Sequence, residues 1–408
     1  MRILSVTQSY APFYEFGGPP AKVEALSNGL AKRGHQVTVL TADWGYEKRQ
    51  ANEDSVIAKR GAFGWAQDAN GVNSVYLPTW LHYRAASWNP GVTRYCNKNL
   101  DRFEIVHIFG LYDLLGPTVA AACRKRGIPY VVEPIGMFVP IVRNILMKRM
   151  YHTLLGKKMI SGAAAIVATA EQEVQELAAG GIAREKIVLR RNGVAAPRVL
   201  PASGTFRAEF GIPSEAHLVL FLGRLSEKKS PQLLLEAFAG LPAAIDGRAV
   251  WLVFAGPDES GMRQRLQESA RRSGVQARVI FSGAIFSVQK WAAYRDADVF
   301  VLPSQNENFG NTAAEAAACG TPVVITENCG VAPLLAGIAG LVVPHETAAV
   351  ARAVQQVLTE PGLRARLSEG GKSAAGRLSW DQPVSAMETM YRELAARRPA
   401  VGQSASQE

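Results

Sequence analysis

What most constrains this chain is a strand–helix alternation that starts, breaks off and starts again. Apolar runs at 2–9, 36–41, 105–108, 130–133, 165–168 and 186–189 read as strands, with helical spacing between several of them. The first run leads through Gly17-Gly18 to a helix over 21–33 that stops at Gly34. Asn192-Gly193 is a turn signal, and a Pro- and Ala-rich stretch over 195–204 reads as a linker. The alternation then resumes, with strands at 218–222, 249–255, 278–282, 298–303 and 322–326. Helices at 231–239, 261–273, 287–296 and 311–319 separate them. Strands and helices in this order build parallel sheets covered on both faces. The expectation is an α/β protein of two domains, residues 1–196 and 205–379. A last helix ends at 396, and the polar tail 397–408 is expected to be disordered.

A length of 408 residues suits two domains, and 48% hydrophobic residues supply two cores. The four cysteines, Cys96, Cys123, Cys319 and Cys329, show no C-x-x-C spacing and no nearby histidine pair. That pattern fits reduced thiols in a cytoplasmic protein and no metal framework. The first apolar run is too short for a signal peptide, and no run reaches the ~18 residues of a spanning helix. Residues 1–200 hold 25 Lys and Arg against 15 Asp and Glu, whereas 201–408 hold 20 of each. The whole net charge of +10 thus sits in the first half, which points to an anionic surface or acceptor there. No nucleic-acid-binding module is recognisable, so nucleic acid is not an expected partner.

Two glutamates eight apart carry the chemistry. Glu307 falls in the loop leaving the strand at 298–303, and Glu315 falls in the first turns of the next helix. That loop and helix start supply backbone N–H groups, and Gly310 allows a phosphate close approach. Glu315 is placed to take the two hydroxyls of a ribose, and Glu307 to face what lies beyond the phosphates. The competing reading is a helix capped by one acid and solvated by another. After an earlier strand come Gly223-Arg224 and Lys228-Lys229; Arg224 and Lys229 can neutralise a diphosphate without metal. Gly256, at another strand end, lines the expected nucleoside pocket. No G-x-G-x-x-G or P-loop occurs. Asp296 and Asp298 resemble a metal-holding D-x-D but fall at a helix-to-strand junction, and are read as structural.

These motifs resemble the family-4 retaining glycosyltransferases of the GT-B fold. The resemblance rests on Gly223-Arg224 with Lys229, on Glu307 and Glu315, and on Ala318-Cys-Gly-Thr-Pro-Val-Val324. In the first half it rests on Gly17-Gly18, His107 to Gly110, and Arg191-Asn192-Gly193-Val194. It covers essentially the whole chain and is closest to bacterial members that build surface polysaccharides. It implies two Rossmann-like domains facing across a cleft, with the helix over 380–396 crossing back to the N-terminal one. It implies a nucleotide-sugar donor, UDP- or GDP-linked, on the C-terminal domain, and a saccharide or polyprenyl-linked acceptor on the other. No further cofactor and no metal are implied. Arg224 and Lys229 then meet the diphosphate, Glu315 the ribose and Glu307 the sugar. Phe309, Gly310, Asn311 and Thr312 line the same donor site. Gly17 and Gly18 bring backbone amides to the distal phosphate, unless they form a plain turn.

The chain departs from the family at Ile135, where many members carry histidine before Gly136. His107 is kept as a catalytic candidate, with packing as the alternative. Glu133 either orients an acceptor hydroxyl or is salt-bridged. Retention without an enzyme nucleophile fits front-face displacement, in which the leaving diphosphate takes the acceptor proton. An epimerase of the same fold and a non-catalytic nucleotide-sugar sensor are the alternatives. Trp65, Tyr76, Trp80, Tyr83, Trp88 and Tyr95 either line the acceptor side or fill the core. Residues 141–160 mix apolar residues, including Tyr151 and Leu155, with five basic ones and no acid. An amphipathic face there suits peripheral contact with an anionic membrane, at the inner face of the plasma membrane.

Overall fold

A computed structural model describes residues 1–14, 17–44, 59–83, 86–139, 149–197, 199–259 and 261–398. The chain divides into two compact units, Met1–Arg191 with Trp380–Glu408, and Asn192–Ser379. The division precedes the expected linker. Val194 pairs with Ser379 and donates its amide to the Leu378 carbonyl at 2.6 Å, so the chain joins the second unit at once.

In the first unit, β1 (Arg2–Thr7), β2 (Gln36–Ala42), β8 (Ile105–Phe109), β9 (Tyr130–Glu133), β10 (Ala165–Ala168) and β11 (Ile187–Leu189) are parallel. The sheet order is β11-β10-β9-β8-β1-β2-β5-β4-β3. β5 (Val72–Leu77) is parallel to β2, whereas β4 (Gly64–Ala69) and β3 (Lys59–Gly61) extend the edge antiparallel. Alternate residues feed two cores, as a pleat requires. Leu4, Val6, Val106 and Ile108 pack on one face; Ile3, Ile105 and Val131 pack on the other.

The helix Asp381–Ala396 lies on that second face. Its Val384, Met387 and Tyr391 join Val23, Leu26 and Leu30 of the helix Gly18–Lys32. Burying each large side chain is worth roughly 1.5–3 kcal/mol. The two helices meet closely at Gly29, where an added Cβ would lie 2.5 Å from Val384. A separate hairpin, β6 (Leu81–Tyr83) and β7 (Ala86–Trp88), stands beyond the end of β5.

The second unit is built on β12 (His217–Leu222), β14 (Arg248–Ala255), β15 (Val279–Gly283), β16 (Val299–Leu302), β17 (Val323–Thr326) and β18 (Gly340–Val343), all parallel. The two-residue β13 (Ala244–Ile245) turns back on β14. The central strands are buried on both faces, which is why they read as unbroken apolar runs.

Several residues just past strand carboxyl ends are left-handed: Trp44 after β2, Tyr112 after β8 and Ile135 after β9. A β-branched residue at φ 57°, as at Ile135, is costly and persists only where its surroundings hold it. Gly136 is held by its amide, which donates to Glu173 at 2.6 Å. These carboxyl edges are where doubly wound sheets bind ligands.

Candidate active site

At the carboxyl edge of the second unit, β12 runs into Gly223 and Arg224. Gly256, which follows β14 at φ 140°, crosses directly over this point. An added Cβ there would come 1.9 Å from the Gly223 carbonyl oxygen, so only glycine fits. Its packing role is thus explicit. Arg224 is 44% exposed and lies 3.9 Å from Glu259. A short turn, Glu227–Lys229, ends at left-handed Ser230, whose hydroxyl is 2.9 Å from His345 Nε2.

Lys229 is in contact with Glu307, and both side chains are largely buried. The Glu307 backbone is fixed as well: its amide donates to Asn328 and its carbonyl accepts from Gly330, both at 2.9 Å. Two of the acids and bases expected to meet the donor are therefore already brought together. Gly310, at φ 98°, caps the helix Asn311–Ala318. Asn311 and Thr312 form its first turn, and the Asn311 side-chain Oδ1 accepts from Asn192 Nδ2 at 3.0 Å. A helix start of this kind, with Arg224, Lys228 and Lys229 carried by the β12 loop, attracts anions.

The two oxygens of Glu315 are held from the neighbouring helix Ser287–Asp296: Lys290 Nζ donates to one and Tyr294 to the other, each at 2.9 Å. Burial, reinforced by the Glu315 charge, raises the Tyr294 hydroxyl well above its ordinary range, so it stays a donor. A carboxylate has about four acceptor positions, which leaves room for ribose hydroxyls. Lys290 and Tyr294 were not singled out in the sequence, since polar residues at i and i+4 on a helix look like a solvated face; Asn192 stood out only as a turn and as part of the first-half motif.

Three expected site residues are corrected. Phe309 is 2% exposed and packs in the core, so its side chain does not line the donor site. His107 is fully buried in β8. Its Nδ1 lies 2.6 Å from the Tyr391 hydroxyl, and its ring packs on Phe109, so it touches no accessible surface. Gly17 spends its amide on the Tyr14 carbonyl at 3.0 Å. Gly18 opens the helix, but Pro19 and Pro20 follow and have no N–H to offer. Gly18 is the one glycine of the pair left to serve an anion.

Glu133 resolves as a buried ion pair. It contacts Arg190, accepts from Lys22 at 2.6 Å and lies 3.6 Å from His107 Nε2. Burial pushes its carboxyl up, but Arg190 and Lys22 outweigh that and hold it at about 2. Burial outweighs Glu133 at His107 and holds the imidazole neutral, down to about 3. Asp296 and Asp298 are structural: Asp296 accepts the amides of Gly204, Phe206 and Arg207, and Asp298 pairs with Arg207 and Arg364. Among the described residues no cluster of three His, Cys, Asp or Glu could hold a metal ion.

Of the expected aromatics, Tyr76 and Tyr95 are core, and Trp65 is packed against it. Trp80 and Trp88 are exposed. Residues 141–148 of the expected membrane segment lie outside the described residues. The exposed apolar side chains on the rest are Met150 and Leu154, not Tyr151 and Leu155.

Residues 17–193 match the family described as "Glycosyl transferase 4-like domain", and residues 203–374 match "Glycosyl transferases group 1". A D-inositol 3-phosphate glycosyltransferase of Streptomyces bingchenggensis is 36% identical over 59% of this chain and 55% of its own length. D-inositol 3-phosphate glycosyltransferase 2 of Catenulispora acidiphila is 34% identical over 71% of this chain and 73% of its own. Against the first three such relatives the chain spans between 49% and 60% of their length. The Anabaena protein HepE, solved with UDP and glucose, superposes with a TM-score of 0.75 at 17% identity, covering 96% of this chain and 100% of that one.

Proposed function

The chain belongs to the family-4 glycosyltransferases of the GT-B fold, and on that premise we propose that it moves a hexose from a nucleotide diphosphate sugar to a saccharide or lipid-linked saccharide, with retention. The observation that carries the reading is the β12 loop of the second unit, where Lys229 and Glu307 meet beside Arg224. A diphosphate entering there meets the cations of Arg224 and Lys229 and the start of the helix Asn311–Ala318. Glu307, anchored by its own backbone, is left to the sugar, and Glu315 to the ribose.

The chemistry is leaving-group stabilisation plus positioning. As the anomeric bond breaks, negative charge grows on the diphosphate, where Arg224 and Lys229 gain most. The acceptor hydroxyl attacks from the same face and passes its proton to the departing phosphate. No metal is required in this scheme. Incubation with a panel of UDP- and GDP-sugars, scoring free nucleotide with and without acceptor, tests it. Interconversion of the sugar without transfer supports the epimerase instead; binding without turnover supports a sensor.

A second acceptor reading follows from the relatives, whose names specify D-inositol 3-phosphate. A phosphorylated cyclitol therefore belongs in the same panel. For a lipid-linked acceptor the first unit carries a suitable face: exposed Met150 and Leu154 beside Arg149, Lys157 and Lys158. No helix among the described residues is long and apolar enough to cross a membrane, so contact with the cytoplasmic leaflet is peripheral in this reading. Co-sedimentation with anionic vesicles tests it: binding unaffected by Lys157→Glu/Lys158→Glu rejects this face.

A further inference from the structure

The hairpin β6–β7 is built inside out. On a sheet with one wet face, polar residues normally point to water and apolar ones to the core. Here Ser87 is 3% exposed, whereas Trp80 is 68%, Leu81 66% and Trp88 43% exposed. Leu81 and Trp88 are cross-strand partners and share the outer face. Trp80 and Trp88 stand edge to face, with ring centroids 5.7 Å apart.

The base of the hairpin is fixed by a polar network. Asn89 Nδ2 lies 3.1 Å from the Leu77 and Pro78 carbonyls and from Thr79 Oγ1, and its own oxygen accepts from Ser87 at 2.7 Å. Asp43 accepts the Thr79 amide at 2.9 Å, and Trp44 donates its amide to Thr79 Oγ1. Asp43 and Asn89 are buried. The exposed rings are thus carried on an ordered base at the carboxyl ends of β2 and β5, beside left-handed Trp44.

We propose that Trp80 and Trp88 form a stacking platform for a sugar ring of the acceptor. The proposal rests on the glycosyltransferase reading above and names residues of its acceptor site. Three observations favour a saccharide over a bilayer. The platform lies at the sheet edge where ligands bind in this architecture. With the ring planes at 78°, one indole braces the other and holds a single ring face still for a sugar, which stacking needs and lipid partitioning does not. The segment 80–88 carries a single arginine and no run of basic residues to draw it to anionic lipid.

The test titrates the full chain with glucose, galactose, mannose, N-acetylglucosamine and a disaccharide of each, following tryptophan emission. At least one sugar is expected to give a saturable change that is lost in Trp80→Ala/Trp88→Ala. In transfer assays that double variant should raise the KM for the same sugar by roughly tenfold or more, the scale of an aromatic face. Trp80→Tyr/Trp88→Tyr should keep most of the affinity, and unchanged melting temperatures check the fold.

No saturable response to any of these sugars overturns the platform, as does an equal response in the double alanine variant. Binding to phosphatidylglycerol vesicles that the double variant loses, with sugar responses unchanged, gives the face to a bilayer and also overturns it. Failure of the wild type to bind UDP or GDP or to release either from its sugars sinks the transferase reading instead. The emission titration still decides the platform in that case.

Discussion

Tyr391 reaches across 284 residues of sequence to place its hydroxyl 2.6 Å from Nδ1 of His107. Both side chains are fully buried, and burial raises the tyrosine so that it remains a hydroxyl. With both groups neutral, Nδ1 accepts a hydrogen bond from the hydroxyl and the other ring nitrogen faces Glu133. One hydrogen bond thus ties the last helix to the centre of the first unit's sheet. Tyr391→Phe leaves a buried ring nitrogen without a donor and should cost about 1–3 kcal/mol in urea unfolding. An unchanged midpoint would show that the bond contributes nothing net.

The same histidine sets a pH dependence. Its folded value of about 3 lies below the ordinary 6.5, so between these values the unfolded chain binds a proton that the folded chain refuses. Stability therefore falls as pH falls through that window, by about 2 kcal/mol at pH 5. Glu133, held at about 2, adds its own loss only below its ordinary value near 4.5. Between pH 7 and pH 5 burial also holds His152 and His217 low and raises the Asp113 carboxyl to about 6, with the opposite sign, so the histidine is read from the difference between wild type and a variant. His107→Gln should flatten the slope there, and a slope as steep as wild type would show that another group titrates.

Much of this architecture was legible because the central strands are buried on both faces. Continuous runs such as 218–222 and 105–108 announce themselves, and the structure departs from them by a residue or so. The antiparallel edge β3–β4 was not legible: it is half exposed and carries no clean alternation. The helices Thr347–Thr359 and Pro361–Ala374 went unassigned beyond the last motif. At the site, motif spacing singled out Lys229, Glu307 and Glu315, but not the contact between the first two. It did not find Lys290, Tyr294 or Tyr391, whose meaning depends on what tertiary packing sets opposite them. His107 and Phe309 were misplaced for the converse reason, since position at or beyond a strand end does not say which way a side chain turns. The two prolines after Gly18 were visible throughout and limit its helix start as a phosphate cradle.

Lys229→Ala should weaken nucleotide binding by about 1.5–3 kcal/mol, the range for a charge-assisted contact. The substitution also strips Glu307 of its cation, so the loss includes a carboxylate left facing the diphosphate. Calorimetry with UDP and GDP measures it. Equal affinity in a folded variant would remove Lys229 from the donor site.

Glu307→Gln should act differently. Its backbone bonds to Asn328 and Gly330 hold the main chain in place whatever the charge of the side chain. If the carboxylate serves the sugar, turnover falls more than nucleotide affinity does. Parallel losses in both would place Glu307 on the diphosphate.

Glu315 offers a sharper test, because the structure shows how it is supported. Lys290 and Tyr294 take one oxygen each, fixing the carboxylate plane while leaving acceptor positions free. If those positions receive ribose hydroxyls, the wild type should bind UDP or GDP more tightly than the 2′-deoxy nucleotide. Glu315→Ala should erase that preference while largely sparing affinity for the deoxy form. Tyr294→Phe removes one support without touching the ligand, so it should narrow the preference rather than erase it. Losing a hydrogen bond to a charged group is worth about 1.5–3 kcal/mol, a tenfold effect or more. Calorimetry on the wild type, Glu315→Ala and Tyr294→Phe, each with the ribo- and the deoxynucleotide, decides it. A wild type indifferent to the 2′-hydroxyl, or a preference that survives Glu315→Ala, would make the Lys290–Glu315–Tyr294 cluster a structural tie between two helices and nothing more.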